Sequence, residues 1–162
     1  MKVNSHLKFA MEQATCLQDI FGRLKRVEEE GKDPVAEYIW VDGKGRETLH
    51  LTGGQLHDQA RAMAQKLLAS GVQQRDRVAL MFPLCLEFLG GFLACLYLGA
   101  IPVPIAPINV FSPKEDEVKK FKHLLVTSGS NVVVSTADYH KAYQVMHVKM
   151  KLARDKVKKT LS

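Results

Sequence analysis

The tetrapeptide Thr127-Ser128-Gly129-Ser130 offers residue types that could hold phosphate groups. Hydroxyl side chains, glycine and exposed backbone N–H groups all donate to phosphate oxygens, and a cation usually neutralises part of their charge. Here Asn131-Val132-Val133-Val134 follows directly, without a second glycine, a proline or a lysine. The tetrapeptide also lies between a predicted helix and a predicted strand. We therefore predict a helix-to-strand turn with Gly129 at positive φ, and no phosphate loop.

The other chemically capable side chains are scattered along the chain. The histidines have no i, i+4 pairing and no carboxylate pattern, so we interpret them as solvated or incidentally packed. Asp58 and Glu87 are single carboxylates on predicted helices, which gives no general-acid pair. An odd number of thiols without CxxC spacing favours buried structural cysteines in a reducing compartment. We assign no catalytic, cofactor-binding or metal-binding residue; the side chains considered are His6, His50, His57, His123, His140, His147, Cys16, Cys85 and Cys95.

Helices and strands alternate in the second half of the chain. Strand, helix and strand in repeated order indicate a parallel sheet covered by helices, whereas the first fifty residues predict a helix and a β-hairpin. The fold class is therefore α/β: a partial parallel sheet flanked by helices, with an N-terminal helix and hairpin. The predicted strands are Ala36–Val41, Thr48–Leu51, Val78–Phe82, Ile101–Ile105 and Asn131–Ser135, and later helices are Leu84–Leu98, a helix through Lys119–Thr127, and one from Ala137.

Two capping boxes mark helix starts. Thr15-Cys16-Leu17-Gln18 and Thr52-Gly53-Gly54-Gln55 each place a threonine three residues before a glutamine. Gly71 stands where the second helix should end. The apolar stripe predicted for that helix consists of Leu56, Ala60, Met63, Ala64, Leu67 and Leu68.

Several local motifs in one order resemble a known family. Leu51-Thr52-x-x-Gln55-Leu56 and Asp76-Arg77-Val78-Ala79-Leu80 resemble the opening of adenylate-forming (AMP-binding) acyl ligases. The run Gly99-Ala100-Ile101-Pro102-Val103-Pro104 is closer to the fatty acyl-AMP ligase branch and to related domains of disco-interacting proteins than to typical acyl-CoA synthetases. Val132-Val133-Val134-Ser135-Thr136-Ala137 matches the next strand of these families. The resemblance extends from Thr15 to Ala142.

The resemblance implies the opening portion of the large N-terminal domain of an ATP-dependent fatty acyl-AMP ligase. The parent enzyme would bind fatty acid, ATP and Mg, and would pass the acyl group to a carrier protein or to CoA. The family's phosphate loop, of the form TSGSTGxPKG, and its catalytic lysine have no match here, so the chain alone is expected to be inactive and to hold no cofactor. Whether it counts as an enzyme stays open. The alternative is a non-catalytic binding or interaction module on the same scaffold.

Positive charge is concentrated at the end of the chain. Of the formal net charge of +6, residues 146–162 carry six Lys/Arg and one Asp, hence +5. We divide the chain into a flexible N-terminus (1–14), a partial AMP-binding domain (15–138) and a basic amphipathic helix (139–162). That helix carries a heptad-like stripe that packs either on its own sheet or against a partner or anionic surface; no nucleic-acid partner is expected. The stripe consists of Tyr139, Tyr143, Met146, Met150, Ala153 and Val157.

The stretch Phe88–Ile108 has no charged residue and is long enough to cross a membrane. Pro102, Pro104 and Pro107 cannot continue a helix, so we predict two shorter elements and no transmembrane segment. The polar first residues contain no signal-peptide core, and we expect a cytoplasmic location. A flavodoxin-like domain is a third interpretation, disfavoured because the loops after Phe82 and Ile105 are rich in proline.

Overall fold

The computed structural model describes residues 15–31, 36–83, 85–110, 112 and 114–144. The chain divides into two compact units: unit 1 is Met1–Asp76 with Cys85–Pro102, and unit 2 is Arg77–Leu84 with Val103–Ser162. The elements are α1 (Leu17–Glu29), β1 (Glu37–Val41), β2 (Glu47–Thr52), α2 (Gly53–Ala69), β3 (Arg77–Leu80), α3 (Glu87–Tyr97), β4 (Ile101–Pro104), α4 (Glu115–Ser128), β5 (Val132–Val134) and α5, which is described over residues 137–144.

The start of α1 differs from the predicted capping box. Its N-cap is Cys16, whose side chain makes no capping hydrogen bond. Thr15 instead donates from its backbone N–H and its hydroxyl to Oδ2 of Asp19, over 3.1 and 2.6 Å. The prediction that Thr15 caps the helix through Gln18 was therefore wrong. The carboxylate of Asp19, in the first turn, replaces Gln18 because an ionised acceptor binds these donors more strongly.

The predicted hairpin is confirmed. β1 and β2 pair antiparallel, with Tyr38 opposite Leu51 and an irregularity in register at Trp40/Val41. Asp42 holds the connecting turn, because its Oδ1 accepts the N–H groups of Lys44 and Arg46 at 2.8 and 3.0 Å. An aspartate at this position mimics a backbone turn and so selects the loop.

The second capping box is present as predicted. Thr52 Oγ1 accepts the N–H of Gln55, and Gln55 Oε1 accepts the N–H of Thr52, at 3.2 and 2.9 Å. Gly71 follows the helix at φ +87°, a conformation that favours glycine. The predicted apolar stripe is wrong at Leu68, whose side chain is 61 % exposed. Leu68 lies just outside the buried face of the helix, which consists of Leu56, Ala60, Ala64 and Leu67.

The third helix begins three residues later than predicted, at Glu87. Its N-cap Leu86 has no side-chain capping bond, and Cys85 and Leu86 form a bend and a turn before the helix. Unit 1 has its core where α2 and α3 meet, around buried Leu56, Ala60 and Leu93. Phe21, Tyr38, Leu89 and Tyr97 pack against this core.

Unit 2 is built on a three-stranded sheet in the order β4-β3-β5. β3 and β5 are parallel, with Val78 opposite Val132 and Leu80 opposite Val134. The N–H of Ile105 donates to Leu80 O over 3.0 Å at the end of β4. The chain thus places β4 on one side of β3 and β5 on the other. The α/β class and the parallel sheet are confirmed.

The core of unit 2 contains an apolar cluster. Seven buried residues from the sheet, the loop after β4, and α4 form it, with partly buried Tyr139 and Tyr143 from α5 added at the edge. α4 lies on the sheet through Val118 and Phe121, whereas Leu124 is 48 % exposed. The seven are Ala79, Met81, Ile105, Ile108, Val110, Val118 and Phe121.

The uncharged stretch forms two separate elements, α3 and β4, as predicted. Within the described part of the chain, no helix is long and apolar enough to span a membrane. The predicted flexible N-terminus (1–14) and the part of the basic helix beyond residue 144 lie outside the described residues. The division at residues 138 and 139 stays a prediction.

Candidate functional site

The tetrapeptide Thr127–Ser130 forms the turn predicted for it. Ser128 is the last residue of α4, and Gly129 follows at φ +65°, in the left-handed region. The hydroxyl of Ser128 donates to Leu125 O and contacts the Ser130 hydroxyl at 3.2 and 3.0 Å. Ser130 is buried, and its N–H donates to Leu125 O. The turn uses its polar groups to end a helix, so they are not available to cradle a phosphate.

The carboxyl ends of β3 and β5 meet where the order of the strands reverses, the usual position of ligand sites in such sheets. The polar side chains here already bind backbone. Ser135 Oγ donates to Met81 O at 2.5 Å, and Thr136 Oγ1 accepts the N–H of Tyr139 at 3.3 Å. The Tyr139 hydroxyl donates to Ile108 O over 2.6 Å. These groups fix the loops, and they do not fit a role in holding a triphosphate or its metal.

Glu117 is the exception in unit 2. It lies in the first turn of α4, and its Oε2 is buried without a hydrogen-bond partner in the part of the chain that the structure describes. Its charge helps to raise the pKa of nearby Tyr139, after the larger contribution of burial. A buried carboxylate oxygen that accepts no hydrogen bond destabilises the folded state. A hydrogen-bond donor placed beside Glu117 would therefore stabilise unit 2.

The four histidines in the described residues lie in different environments. His50 is near Glu47 (3.2 Å), His123 near Thr127 (3.4 Å) and His140 near Gln144 (2.8 Å), all on exposed surfaces. His57 differs, because it is 5 % exposed and its Nδ1 lies 3.1 Å from the Tyr97 hydroxyl. His57 is therefore a packed histidine and not a solvated one. His6 and His147 lie outside the described residues.

The cysteines and the two carboxylates also separate by environment. The thiols are free: Cys95 is buried, Cys85 half-buried and Cys16 exposed, which corrects the prediction of buried thiols for Cys16. Burial raises the pKa of Cys95 to about 11, so it stays protonated. Asp58 binds Lys25 through both carboxylate oxygens, at 2.7 and 2.8 Å. No group of three or more His, Cys, Asp or Glu within the described ranges could hold a metal ion.

A cleft of about 410 Å³ lies between α1 and α2 in unit 1. His57 lines it, and a Cβ added at Gly22 would lie 3.9 Å from His57 Cε1 and 4.0 Å from Nε2. The ring therefore turns its Cε1–Nε2 edge towards Gly22 and its Nδ1 towards Tyr97. Besides Gly22 and His57, the cleft is lined by Gln18, Asp19, Lys25, Arg26, Glu29 and Arg61.

A parallel sheet in the order β4-β3-β5, preceded by a hairpin and a capped helix, defines the chain as part of an α/β domain of the adenylate-forming type. The family model described as "AMP-binding enzyme" matches residues 25–162, and the chain belongs to that family.

Relatives extend the comparison. Disco-interacting protein 2 of Drosophila melanogaster is 43 % identical over 71 residues, which are 43 % of this chain and 4 % of that protein. A putative acyl-CoA synthetase of Caulobacter vibrioides is 30 % identical over 80 residues, or 49 % of this chain and 14 % of the relative. The fatty acyl-adenylate ligase of L. pneumophila, solved with acyl adenylate and pyrophosphate, is 28 % identical with a TM-score of 0.64 and covers 87 % of this chain. This chain spans 22 % of that ligase's length.

Sequence reasoning missed the α1–α2 cleft. Its residues come from segments 28 or more positions apart, such as Glu29 and His57, and no local motif joins them. The one available signal was Gly22 inside the apolar stripe of α1, because a glycine within a helix often has a packing reason.

Proposed function

We propose that this chain forms the opening part of the large domain of a fatty acyl-AMP ligase. The parent reaction joins a carboxylate oxygen of a fatty acid to the α-phosphorus of ATP, and the bond to the β-phosphate breaks with release of pyrophosphate. A thiol of a carrier protein or of CoA then takes the acyl group, and AMP leaves. The observation that supports this proposal is the similarity of fold and sequence to the L. pneumophila ligase solved with acyl adenylate and pyrophosphate.

The chain supplies scaffold to this reaction, in our proposal, and is inactive alone. ATP chemistry needs N–H donors and a cation placed around the phosphates. The turn at Thr127–Ser130 and the hydroxyls of Ser135 and Thr136 are engaged within the fold, so no step is assigned to them. ATP and Mg would be held by other residues of the parent. Free thiols at Cys16, Cys85 and Cys95 support the cytoplasmic location that we propose for it.

Release of pyrophosphate tests the inactivity of the chain. The purified 162-residue chain is incubated with ATP, Mg and a long-chain fatty acid, and pyrophosphate is measured against a reaction without enzyme. We expect no release above the blank. ATP-dependent release that requires the fatty acid would overturn the proposal that the chain is inactive alone.

A second candidate is a non-catalytic interaction module, favoured by the similarity to Disco-interacting protein 2. In that case residues 139–162 form a basic helix that contacts a partner, while Tyr139 and Tyr143 anchor its start on unit 2. Sequencing the transcript beyond the codon for Ser162 separates the candidates. A downstream TSGSTGxPKG-like loop and a catalytic lysine identify an enzyme, whereas a downstream domain without them identifies a module.

A further inference from the structure

The α1–α2 cleft contains groups of both charges, and these differ in whether they already have partners. Lys25 binds Asp58 at 2.7 Å and approaches Glu29 at 3.7 Å. Asp19 accepts two hydrogen bonds from Thr15, and these bonds lower its pKa. Lys25 is therefore shared by two carboxylates, whereas both hydrogen bonds to Asp19 come from neutral donors and reach only one of its oxygens.

The two arginines of the cleft differ from Lys25 in their contacts. Arg26 lies in the last turn of α1 and Arg61 lies on α2, and neither side chain forms an ion pair or hydrogen bond with another described residue. A guanidinium carries five N–H donors and no acceptor. The unused hydrogen-bond donors of the cleft thus include two guanidinium groups, in a cleft that Asp19 and Glu29 also line.

His57 adds a third donor at the base of the cleft. Burial raises the pKa of Tyr97 to about 12, so the phenol keeps its proton. The Tyr97 hydroxyl has no other partner among the described residues, and only donation to His57 Nδ1 uses its proton. Burial, and then the charge of Arg61, lower the pKa of His57 and favour its neutral form. A neutral ring that accepts at Nδ1 carries its proton on Nε2, which is the side turned towards Gly22 and the cleft.

We propose that the α1–α2 cleft binds a phosphate group, either inorganic phosphate or the phosphomonoester of a small molecule, through Arg26, Arg61 and Nε2–H of His57. One guanidinium group can donate two parallel N–H hydrogen bonds to two oxygens of a phosphate. A neutral N–H donor helps to orient the phosphate and adds no further charge. Gly22 leaves the histidine edge open, because any side chain at that position would stand over it. This inference concerns residues of unit 1 only and does not rest on the proposed acyl-ligase function.

Titration of the whole 162-residue chain with inorganic phosphate tests the site. The side-chain ¹⁵N resonances of His57 are followed at neutral pH and low salt, up to about 50 mM phosphate, well above a dissociation constant on the order of 1 mM. We expect a saturable shift of Nε2. Arg61→Gln should weaken binding about tenfold, the effect of losing one charge-assisted hydrogen bond. Glycerol phosphate in a second arm distinguishes a phosphomonoester site from a site that accepts the free ion only.

Two further variants keep the test independent of folding and of net charge. Lys66→Gln removes one positive charge from the same helix, outside the cleft lining, and should leave phosphate binding unchanged. Gly22→Ala should raise the urea midpoint of unfolding, because alanine favours helix and fits at ordinary contact distance, yet weaken phosphate binding several-fold. No saturable shift in the parent chain, or an equal loss in Lys66→Gln, would overturn the proposal.

Discussion

The two units satisfy their polar groups in different ways. In unit 1, pairs of side chains join separate elements: Lys25 to Asp58, His57 to Tyr97, and Glu28 to the start of α2. In unit 2, the hydroxyls of Ser135 and Tyr139 bind backbone carbonyls beside an apolar cluster. Both units bury an apolar core, so the difference lies in these polar side chains: those of unit 1 join helices to neighbouring elements, and those of unit 2 fix loops.

The contact between Glu28 and α2 shows this most clearly. The Glu28 carboxylate accepts the Thr52 hydroxyl at 2.7 Å and the Gly54 N–H at 3.1 Å. It thereby places a negative charge at a helix N-terminus, where the dipole favours it. Thr52 and Gly53 close the same junction, since the N–H of Gly53 donates to Ala36 O. One carboxylate thus links α1, β2 and α2.

Loss of an aromatic ring from unit 2 should have the largest effect. Phe121 is 4 % exposed in the apolar cluster, and its ring meets Tyr143 edge-on with centroids 6.1 Å apart. Phe121→Ala should lower the free energy of unfolding by about 4 kcal/mol, because it removes buried surface and leaves a cavity. Urea denaturation followed by far-UV circular dichroism measures the change. Phe121→Leu should lower the free energy of unfolding by about 1 kcal/mol, which is within the range for hydrophobic substitutions of similar volume.

The control for this substitution is Val126→Ala on the same helix. Val126 is 81 % exposed, so its truncation should change the free energy of unfolding by less than about 0.5 kcal/mol. Equal losses for Phe121→Ala and Val126→Ala would show that the apolar cluster does not stabilise unit 2.

Addition of a single methyl group in unit 1 should have the next largest effect on stability. A Cβ at Gly54 would overlap the Glu28 carboxylate and lie 3.2 Å from Lys25 Cα, in the backbone of α1. Gly54→Ala should therefore cost roughly 2–3 kcal/mol through overpacking and loss of the Glu28 hydrogen bond, despite the better helix propensity of alanine. The fluorescence of Trp40, the single tryptophan, reports unfolding of unit 1.

Gly43→Ala in the hairpin turn is the matched control, since a Cβ there meets nothing within 4 Å. It should change stability by less than about 0.5 kcal/mol. If Gly54→Ala were equally neutral, α1 would not depend on close approach to α2, and the polar junction at Glu28 would lose its proposed importance.

Sequence patterns predicted those features that depend on neighbouring residues. The Thr52/Gln55 capping box, the Gly129 turn and the pairing of valine-rich strands each follow from a few adjacent side chains, and each is confirmed. These features occur in both units, since the capping box lies in unit 1, whereas the Gly129 turn and the parallel strands lie in unit 2.

Contacts between distant segments were not predictable in this way. His57 and Tyr97 are 40 residues apart, and Glu28 and Gly54 are 26 apart. Nothing local distinguishes a buried histidine from a solvated one, or a linking glutamate from others in the acidic stretch that ends α1. Hydrogen bonds of this kind join residues that only the packing of the helices brings together. The candidate site of unit 1 therefore became visible only in the folded chain.

The smallest expected effect is the pH dependence of stability, which should differ between His57 in unit 1 and His140 in unit 2. Burial, followed by the nearby charge of Arg61, lowers the pKa of His57. The unfolded histidine, with a pKa of about 6.5, takes up a proton in a range where the folded one does not, so stability falls as the pH drops below about 6.5 and levels off below the folded pKa. Urea midpoints at about pH 7.5 and pH 5.5, read from Trp40, measure this slope. His57→Gln retains a partner for the Tyr97 hydroxyl and should make the stability of unit 1 less dependent on pH. His140→Gln, on the exposed surface of α5, should leave this dependence unchanged. An unchanged slope in His57→Gln would mean that the buried imidazole is protonated as readily as a solvated one, and would contradict the lowered pKa of His57.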